Sequence, residues 1–258
     1  MKHSNHPRGR FKVRTWLGAA ILLAGLGAAL PAVTASADSE SVRNVVQEQV
    51  ESTGESAGAG AIAGPAIAIN NQTIPQINVQ VIAGDQETRD NSTQAATNTL
   101  NLEQSGAAAT GAASADAGST ATTGPATATN LALGYQINVQ VIAGIGCDVD
   151  QTASNTFDLT QDAAAASGDA NATQDGNASS GGASAMNIAR VSQRNLQVYV
   201  CRGGATGEQV AENVGDFEQT TAAATGTATA EGGSAATGGA NATGDLGSTQ
   251  FNRQIVID

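Results

Sequence analysis

The chain has 258 residues, of which 31 are glycine, 3% are aromatic and 13% are charged, and its formal net charge is −12. So few large apolar side chains do not build a thick globular core, because each buried aliphatic side chain contributes only about 1.5–3 kcal/mol and alanine contributes less. The acidic charge argues against binding to nucleic acid or to anionic membranes, since both require basic patches.

The first 37 residues predict a secretory signal peptide. A basic region from Lys2 to Arg14 precedes the apolar stretch Trp16–Leu30, and Ala35-Ser36-Ala37 offers a small-residue cleavage site. The alternative, an N-terminal membrane anchor, is disfavoured because the apolar stretch is short for a span of about 20 residues. Cleavage would leave six arginines, no lysine or histidine and all 23 acidic residues, a net charge of −17. We therefore expect a secreted, extracellular or cell-surface protein without membrane attachment.

A segment of alternating polar and aliphatic residues occurs four times after this region. Its copies lie at residues 76–84, 136–144, 193–200 and 250–257. They are 60, 57 and 57 residues apart, and a second segment, Asn98–Gln104, recurs in the same frame as Asn155–Gln161. This spacing predicts a repeat array over residues 56–258. Residues 38–55 are predicted to form an N-terminal segment or a degenerate cap.

The alternation in the repeated segment has the period of a β-strand. One face carries aliphatic residues such as Ile77 and Val79, and the other carries amides. The amide face is formed by Gln76, Asn78, Gln80, Gln136, Asn138, Gln140, Gln193, Asn195, Gln197, Gln250, Asn252 and Gln254. Stacked copies of such a strand give each amide a like partner above and below, so we predict hydrogen-bonded structural ladders.

These patterns predict an all-β fold, a β-solenoid or stacked β-array of units of about 57–60 residues. A unit of this length favours two or three coils, in which case successive copies of the ladder strand need not touch. A β-sandwich of the same strands is an alternative, as is a short helix over the alanine-rich residues Gln161–Gly168. By composition alone, a disordered acidic chain is a further alternative.

Two cysteines, Cys147 and Cys201, follow the second and third copies of the strand. An oxidising compartment and an even number of cysteines favour a disulfide between them. Free or intermolecular thiols are the alternative.

Acidic residues that follow two copies of the strand are weak candidates for calcium ligands, because hard cations prefer oxygen ligands. They are Asp85, Glu87 and Asp90 in the first unit and Asp148 and Asp150 in the second. Solvated loop carboxylates explain the same residues better, and no calcium-binding loop motif is present. We therefore predict no cofactor.

An enzymatic function is not expected. Beyond residue 37 the chain contains no histidine and no lysine, which removes the Ser-His-Asp, Cys-His and lysine-based mechanisms as well as histidine-containing zinc sites.

Fragments of each unit, such as Asn155–Gln161 and Gln174–Ala178, resemble the curlin-type repeats of secreted bacterial amyloid fibre subunits, whose pattern is Gln-x-Gly-x-x-Asn-x-Ala-x-x-x-Gln. The unit here is longer, and the final glutamine of the pattern is absent after Ala178. The resemblance implies a fibre-forming extracellular matrix or adhesive role, with the amides as structural positions.

The leading functional hypothesis is a secreted bacterial structural or cell-surface protein that self-associates into a fibre, coat or matrix. Residues 250–257 would end the chain as an uncapped strand, and an open strand edge can pair with another molecule. Salt or divalent cations should promote assembly, because the acidic chains repel one another. The alternative is a monomeric β-repeat module that presents loops to a carbohydrate, a cation or a cell-surface or matrix component.

Overall fold

The computed structural model describes residues 37–83 and 92–257, and every regular element in these ranges is a β-strand. The sixteen strands follow one another in four units. Unit 1 contains β1 (Ala37–Ser52), β2 (Ser56–Gly58), β3 (Ile62–Ala63) and β4 (Ala66–Ala83). Unit 2 contains β5 (Ser92–Ala109), β6 (Ala113–Ala115), β7 (Thr120–Thr123) and β8 (Ala126–Cys147). Unit 3 contains β9 (Val149–Ala166), β10 (Ala170–Ala172), β11 (Asn177–Ser180) and β12 (Ala183–Ala205). Unit 4 contains β13 (Gln209–Ala224), β14 (Ala228–Ala230), β15 (Ala235–Thr237) and β16 (Ala240–Ile257).

Each unit contributes one strand to each of four parallel sheets. The strands that carry the repeated amide segment, β4, β8, β12 and β16, form the ladder sheet. The first strands of the units, β1, β5, β9 and β13, form the opposing sheet, and the short strands form two corner sheets. The fold is therefore an all-β stack of repeated units, as the sequence predicts. Antiparallel pairing, which is typical of β-sandwiches, does not occur between the described strands.

The register of the ladder sheet places identical residues side by side. Gln136 pairs with Gln76 on one side and with Gln193 on the other, and Gln193 pairs with Gln250. The prediction of two or three coils in each unit is therefore wrong, because one unit makes a single pass through the four sheets. A single pass through the four sheets requires all the residues of a unit, because the long strands of each unit have 16 to 23 residues.

The alanine-rich tracts explain this length. Ala163 and Ala165 face inward and are buried, so the alternation continues to the end of β9 at Ala166. No helix forms over Gln161–Gly168 for this reason, since a strand can bury every second alanine against the ladder sheet.

Successive layers fill the space between the ladder sheet and the opposing sheet. At one end alanines such as Ala68 and Ala128 pack together, which allows the sheets to approach closely. The middle holds an aliphatic and aromatic cluster around Leu100 and Phe157. Buried amides lie between these clusters, and a third apolar cluster around Ile142 and Tyr199 lies at the other end.

The turn between the two corner strands of every unit contains a residue in the left-handed region of backbone conformation. In three units it is glycine, at Gly60, Gly118 and Gly232, whereas unit 3 has Asp175 with φ of 61°. A side chain in this conformation is strained, and glycine is not.

We predict that Asp175→Gly raises the free energy of unfolding by about 0.5–1 kcal/mol, because the strain removed exceeds the added entropy of the unfolded chain. Urea denaturation measures the difference. The matched control is Asp162→Gly in the extended strand β9, which should lower stability. An unchanged or less stable D175G protein would contradict this account of the turn.

Candidate functional site

The amides of the repeated segment point inward, between the ladder sheet and the opposing sheet, and those of units 2 and 3 are completely buried. Their side chains hydrogen-bond to one another along the stack. Gln136 Nε2 donates to Gln76 Oε1 over 2.8 Å, and Gln193 Nε2 donates to Gln136 Oε1 over 2.9 Å. Gln250 Nε2 continues the column by donating to Gln193 Oε1. The columns that begin at Asn78 and Gln80 are continuous through all four units in the same way.

The same amides also join the two long sheets. Gln136 Nε2 donates to Thr156 O over 2.8 Å, and Asn138 Nδ2 donates to Ser154 O over 2.9 Å. Each amide therefore has one partner along the stack and another across it. This arrangement satisfies buried polar groups, which are costly when unpaired.

Sequence reasoning did not single out four further ladders that the structure contains. Asn70, Asn130 and Asn187 form one in the ladder sheet. The opposing sheet adds the columns that end at Gln209, Asn213 and Gln219. The recurrence of amides at the unit spacing was the available signal, and Asn98–Gln104 carried it.

The hydrogen bonds along the ladders have a fixed direction. The side-chain hydrogen bonds between glutamines of successive units donate toward unit 1, as from Gln193 to Gln136. In the asparagine columns the donor points toward unit 4, as from Asn138 to Asn195. The two ends of the stack therefore differ chemically. At the unit 4 end the glutamine columns end in acceptor oxygens, and the asparagine columns end in N–H donors.

Two buried polar atoms without a hydrogen-bond partner agree with this direction. They are Gln94 Nε2 and Asn98 Oδ1. Gln94 pairs in register with Ala37, which has no amide to accept its proton. The unpaired atoms thus lie on the side where the column of like residues stops.

Both ends of the stack are open strand edges. β1 and β4 lie at one end of the long sheets, and β13 and β16 lie at the other. The ladder residues Gln250, Asn252 and Gln254 are exposed at the unit 4 end, although their equivalents in units 2 and 3 are buried.

Two columns of glycine mark the corners that flank the short strands. A Cβ atom on Gly168 would lie 2.2 Å from Gly111 O of the preceding unit, and one on Gly181 would lie 2.1 Å from Gly124 O. No side chain fits there, because the backbones of successive units are in contact. In unit 1 the same columns contain Gly54 and Gly64, where a Cβ atom would meet nothing within 4 Å.

The solvent side of the ladder sheet, which we call the outer ladder face, is largely apolar over the columns from Ile77 to Val81. Ile77, Val79 and Val81 are each more than half exposed. The same columns continue through units 2 to 4 with Ile137, Val139, Val141, Leu196, Val198, Phe251 and Ile255, interrupted by Arg194 and Arg253.

One carboxylate, Asp245, lies on the described outer ladder face. Arg190 Nη1 donates to its Oδ1 over 3.1 Å, and this bond holds the pKa of Asp245 below its usual value and raises that of Arg190.

The outer side of the opposing sheet is acidic by contrast. It carries Glu103, Asp150, Asp158, Asp162, Glu208, Glu212, Asp216 and Glu218.

Cys201 is buried, in a cluster with Tyr199 and Val149. Cys147 ends β8, where its backbone pairs with Ala205 after a register shift that begins at Arg202. The offset between paired residues thus increases by one between the pair Arg202–Ile145 and the pair Ala205–Cys147. The Cys147 side chain lies outside the described residues, so the Cys147–Cys201 bridge stays a prediction.

The candidate calcium ligands are not assembled into a site by the described residues. Asp85, Glu87 and Asp90 lie outside these residues. Asp148 Oδ1 accepts a hydrogen bond from Thr206, and Asp150 Oδ1 accepts one from the Glu208 backbone. In the described ranges, no group of three or more His, Cys, Asp or Glu side chains is placed to hold a metal ion.

Tyr199 shares the buried cluster with Cys201 and donates its hydroxyl proton to Val149 O. Burial raises the pKa of Tyr199 to about 12, with smaller contributions from the charges of Asp150 and Asp148. The phenol is therefore a structural hydrogen-bond donor and not a proton-transfer group near neutral pH.

Within residues 37–83 and 92–257 there is no helix of the length and apolarity needed to cross a membrane.

Comparison of the chain with protein-family models, with curated proteins and with solved structures finds no match. Function is therefore inferred from the geometry of the ladders, the open ends and the outer faces.

Proposed function

We propose that the chain is an exported structural protein of the bacterial surface or extracellular matrix. It forms a β-solenoid with one unit per coil, and it has no enzymatic activity. Copies stack head to tail, unit 1 of one copy on unit 4 of the next, to build a fibre, coat or matrix.

The glycines of unit 1 carry this proposal. Inside the chain, the corner columns require glycine because the preceding unit lies against it, as Gly111 does against Gly168. Gly54 and Gly64 have no preceding unit among residues 37–83 and 92–257 and no left-handed backbone, so nothing in this part of the chain excludes a side chain there. The presence of glycine at these two positions is explained if unit 4 of another copy lies against unit 1.

The direction of the ladders supports the same contact. Gln250 and Gln254 present side-chain oxygens at the unit 4 end, and the in-register residues of unit 1 are Gln76 and Gln80. Head-to-tail stacking continues each column with the like residue in register. Head-to-head stacking would bring acceptors together, which leaves buried polar groups unpaired. A heterologous contact of this kind does not close and produces a filament.

We expect the full-length chain with Gly54→Ala and Gly64→Ala to elongate at least about tenfold more slowly than wild type. Each new Cβ atom would meet backbone of the next copy, and overpacking costs about 1–3 kcal/mol at each site. Seeded growth followed by sedimentation and electron microscopy measures the rate. As the control, the unfolding free energy of the dilute variant should match that of wild type within about 0.5 kcal/mol.

Salt and divalent cations should accelerate wild-type growth, because an exported chain with six arginines and 23 acidic residues repels its copies. Growth that is insensitive both to salt and to G54A/G64A would refute head-to-tail stacking. A β-rich monomer under every condition would instead favour a scaffold that displays loops.

A further inference from the structure

We propose that the outer ladder face is a lateral docking surface for the same face of a second copy of this chain. The contact is separate from head-to-tail stacking, since it uses the flat side of the ladder sheet and not its edges. Two copies joined in this way present their acidic opposing sheets to solvent on both sides.

The chemistry of the face is that of a buried sheet surface. Ile77, Val79 and Val81 lie in a row on β4, and β8 continues the row with Ile137, Val139 and Val141. The row extends to β12 and β16 with apolar residues except at Arg194 and Arg253. Such side chains stand out from a pleated sheet and interdigitate with those of a second sheet about 10 Å away. The unit's own fold leaves them exposed, because on these strands the alternate positions, which face the interior, are amides such as Asn78 and Gln80.

The area is sufficient for a specific contact. Strand rise and strand spacing give about 500 Å² per copy for the columns from Ile77 to Ala83 across four strands, and about 1,100 Å² for the whole face. Stable protein interfaces bury about 800 Å² per partner. A monomer rarely exposes a contiguous apolar patch above a few hundred Å² unless the patch binds something.

The distribution of charge selects a second copy as the occupant. The opposing sheet carries carboxylates along its outer side, and the corner regions add acids such as Asp116, Asp169 and Glu231. On the outer ladder face the described carboxylate, Asp245, is neutralised by Arg190. Two strongly acidic molecules therefore meet least repulsion when these faces approach each other.

The arginines fix the relative orientation of the two copies. Arg194 and Arg253 lie in units 3 and 4, whereas the same columns in units 1 and 2 are aliphatic. A two-fold axis along the strands places unit 1 of one copy over unit 4 of the other. Each arginine then lies over Ile137 or Val79 of the second copy, where its aliphatic stem packs and its head reaches solvent at the rim.

The test uses full-length protein with Gly54→Ala and Gly64→Ala, so that lateral pairing is read without filament growth. Sedimentation equilibrium should show a dimer, and Val139→Glu in this background should weaken dimerisation at least about tenfold, because a carboxylate would be buried without a partner. Val81→Glu, at an exposed position of the end strand β4 that lies over Ile255 of the second copy, should have the same effect. Thr156→Glu adds equal charge to the opposing sheet and should leave the dimer intact. Far-UV circular dichroism checks that each variant is folded.

Three outcomes would overturn the proposal. One is a folded chain that stays monomeric up to about 1 mM, the weak limit of specific association. A second is a dimer that is indifferent to both glutamates. A third is a monomer that binds phosphatidylglycerol vesicles through Val139, which would assign the face to lipid. The dimer uses the outer ladder face and not the strand edges, so it can be present whether or not head-to-tail stacking is correct, and the two proposals fail separately.

Discussion

Asn138→Asp is expected to lower the free energy of unfolding by at least about 4 kcal/mol. Asn138 Nδ2 donates to Ser154 O, Asn155 Oδ1 and Asn195 Oδ1 at 2.9 to 3.1 Å, and Asn138 is completely buried. A carboxylate has the same shape but no proton to donate, so three oxygens would face a buried negative charge. Urea denaturation at neutral pH measures the loss.

Two controls separate this effect from a general effect of charge. Asn171→Asp makes the same change at an exposed position of β10 and should alter stability by less than about 0.5 kcal/mol. The deficit of N138D should also shrink as the pH falls, because burial raises the pKa of the new carboxyl in the folded state and its protonated form can donate again. Equal stabilities for N138D and N171D would mean that the ladders do not hold the sheets together.

Gly168→Ala is expected to cost about 3 kcal/mol or more. The new Cβ atom would lie 2.2 Å from Gly111 O and 2.5 Å from Gly111 C, and neither backbone atom has room to move because unit 2 is paired on both sides. The stack must separate locally, which breaks the hydrogen bonds between Gly168 and its neighbours, including that from Gly168 N to Thr110 Oγ1.

The chain supplies its own matched control for this change. Gly54→Ala makes the identical substitution in the same column of unit 1, where the Cβ atom meets open space. It should be neutral within about 0.5 kcal/mol in dilute protein. Thermal or urea unfolding measures the stability of the two variants side by side. If G54A were as unstable as G168A, the loss of stability would come from strain at the glycine itself and not from contact between units.

Much of the ladder site is visible in the sequence. The segment from Gln76 to Gly84 recurs without change, and its amides at alternate positions predict a strand with a column of like residues. The columns at Asn70 and Gln94 were harder to predict, because no continuous identical segment surrounds them. The corner glycines were also missed as contacts, since Gly54 and Gly168 resemble ordinary turn residues until the units are stacked.

The sequence by itself determined the period of the repeat, the strand alternation and the identity of the residues that share a column, because these are local or simply recurrent features of the chain. It left open which face of the ladder strand is buried, since an alternation of period two defines two faces without choosing between them. The tertiary structure decided that the amides lie inside and the aliphatic residues outside. The physical reason is the one-unit register, which sets each amide beside its copy and opposite a backbone carbonyl, so that it finds both partners in the interior. The same register leaves Ile77 and Val79 more than half exposed on the solvent side of the ladder sheet.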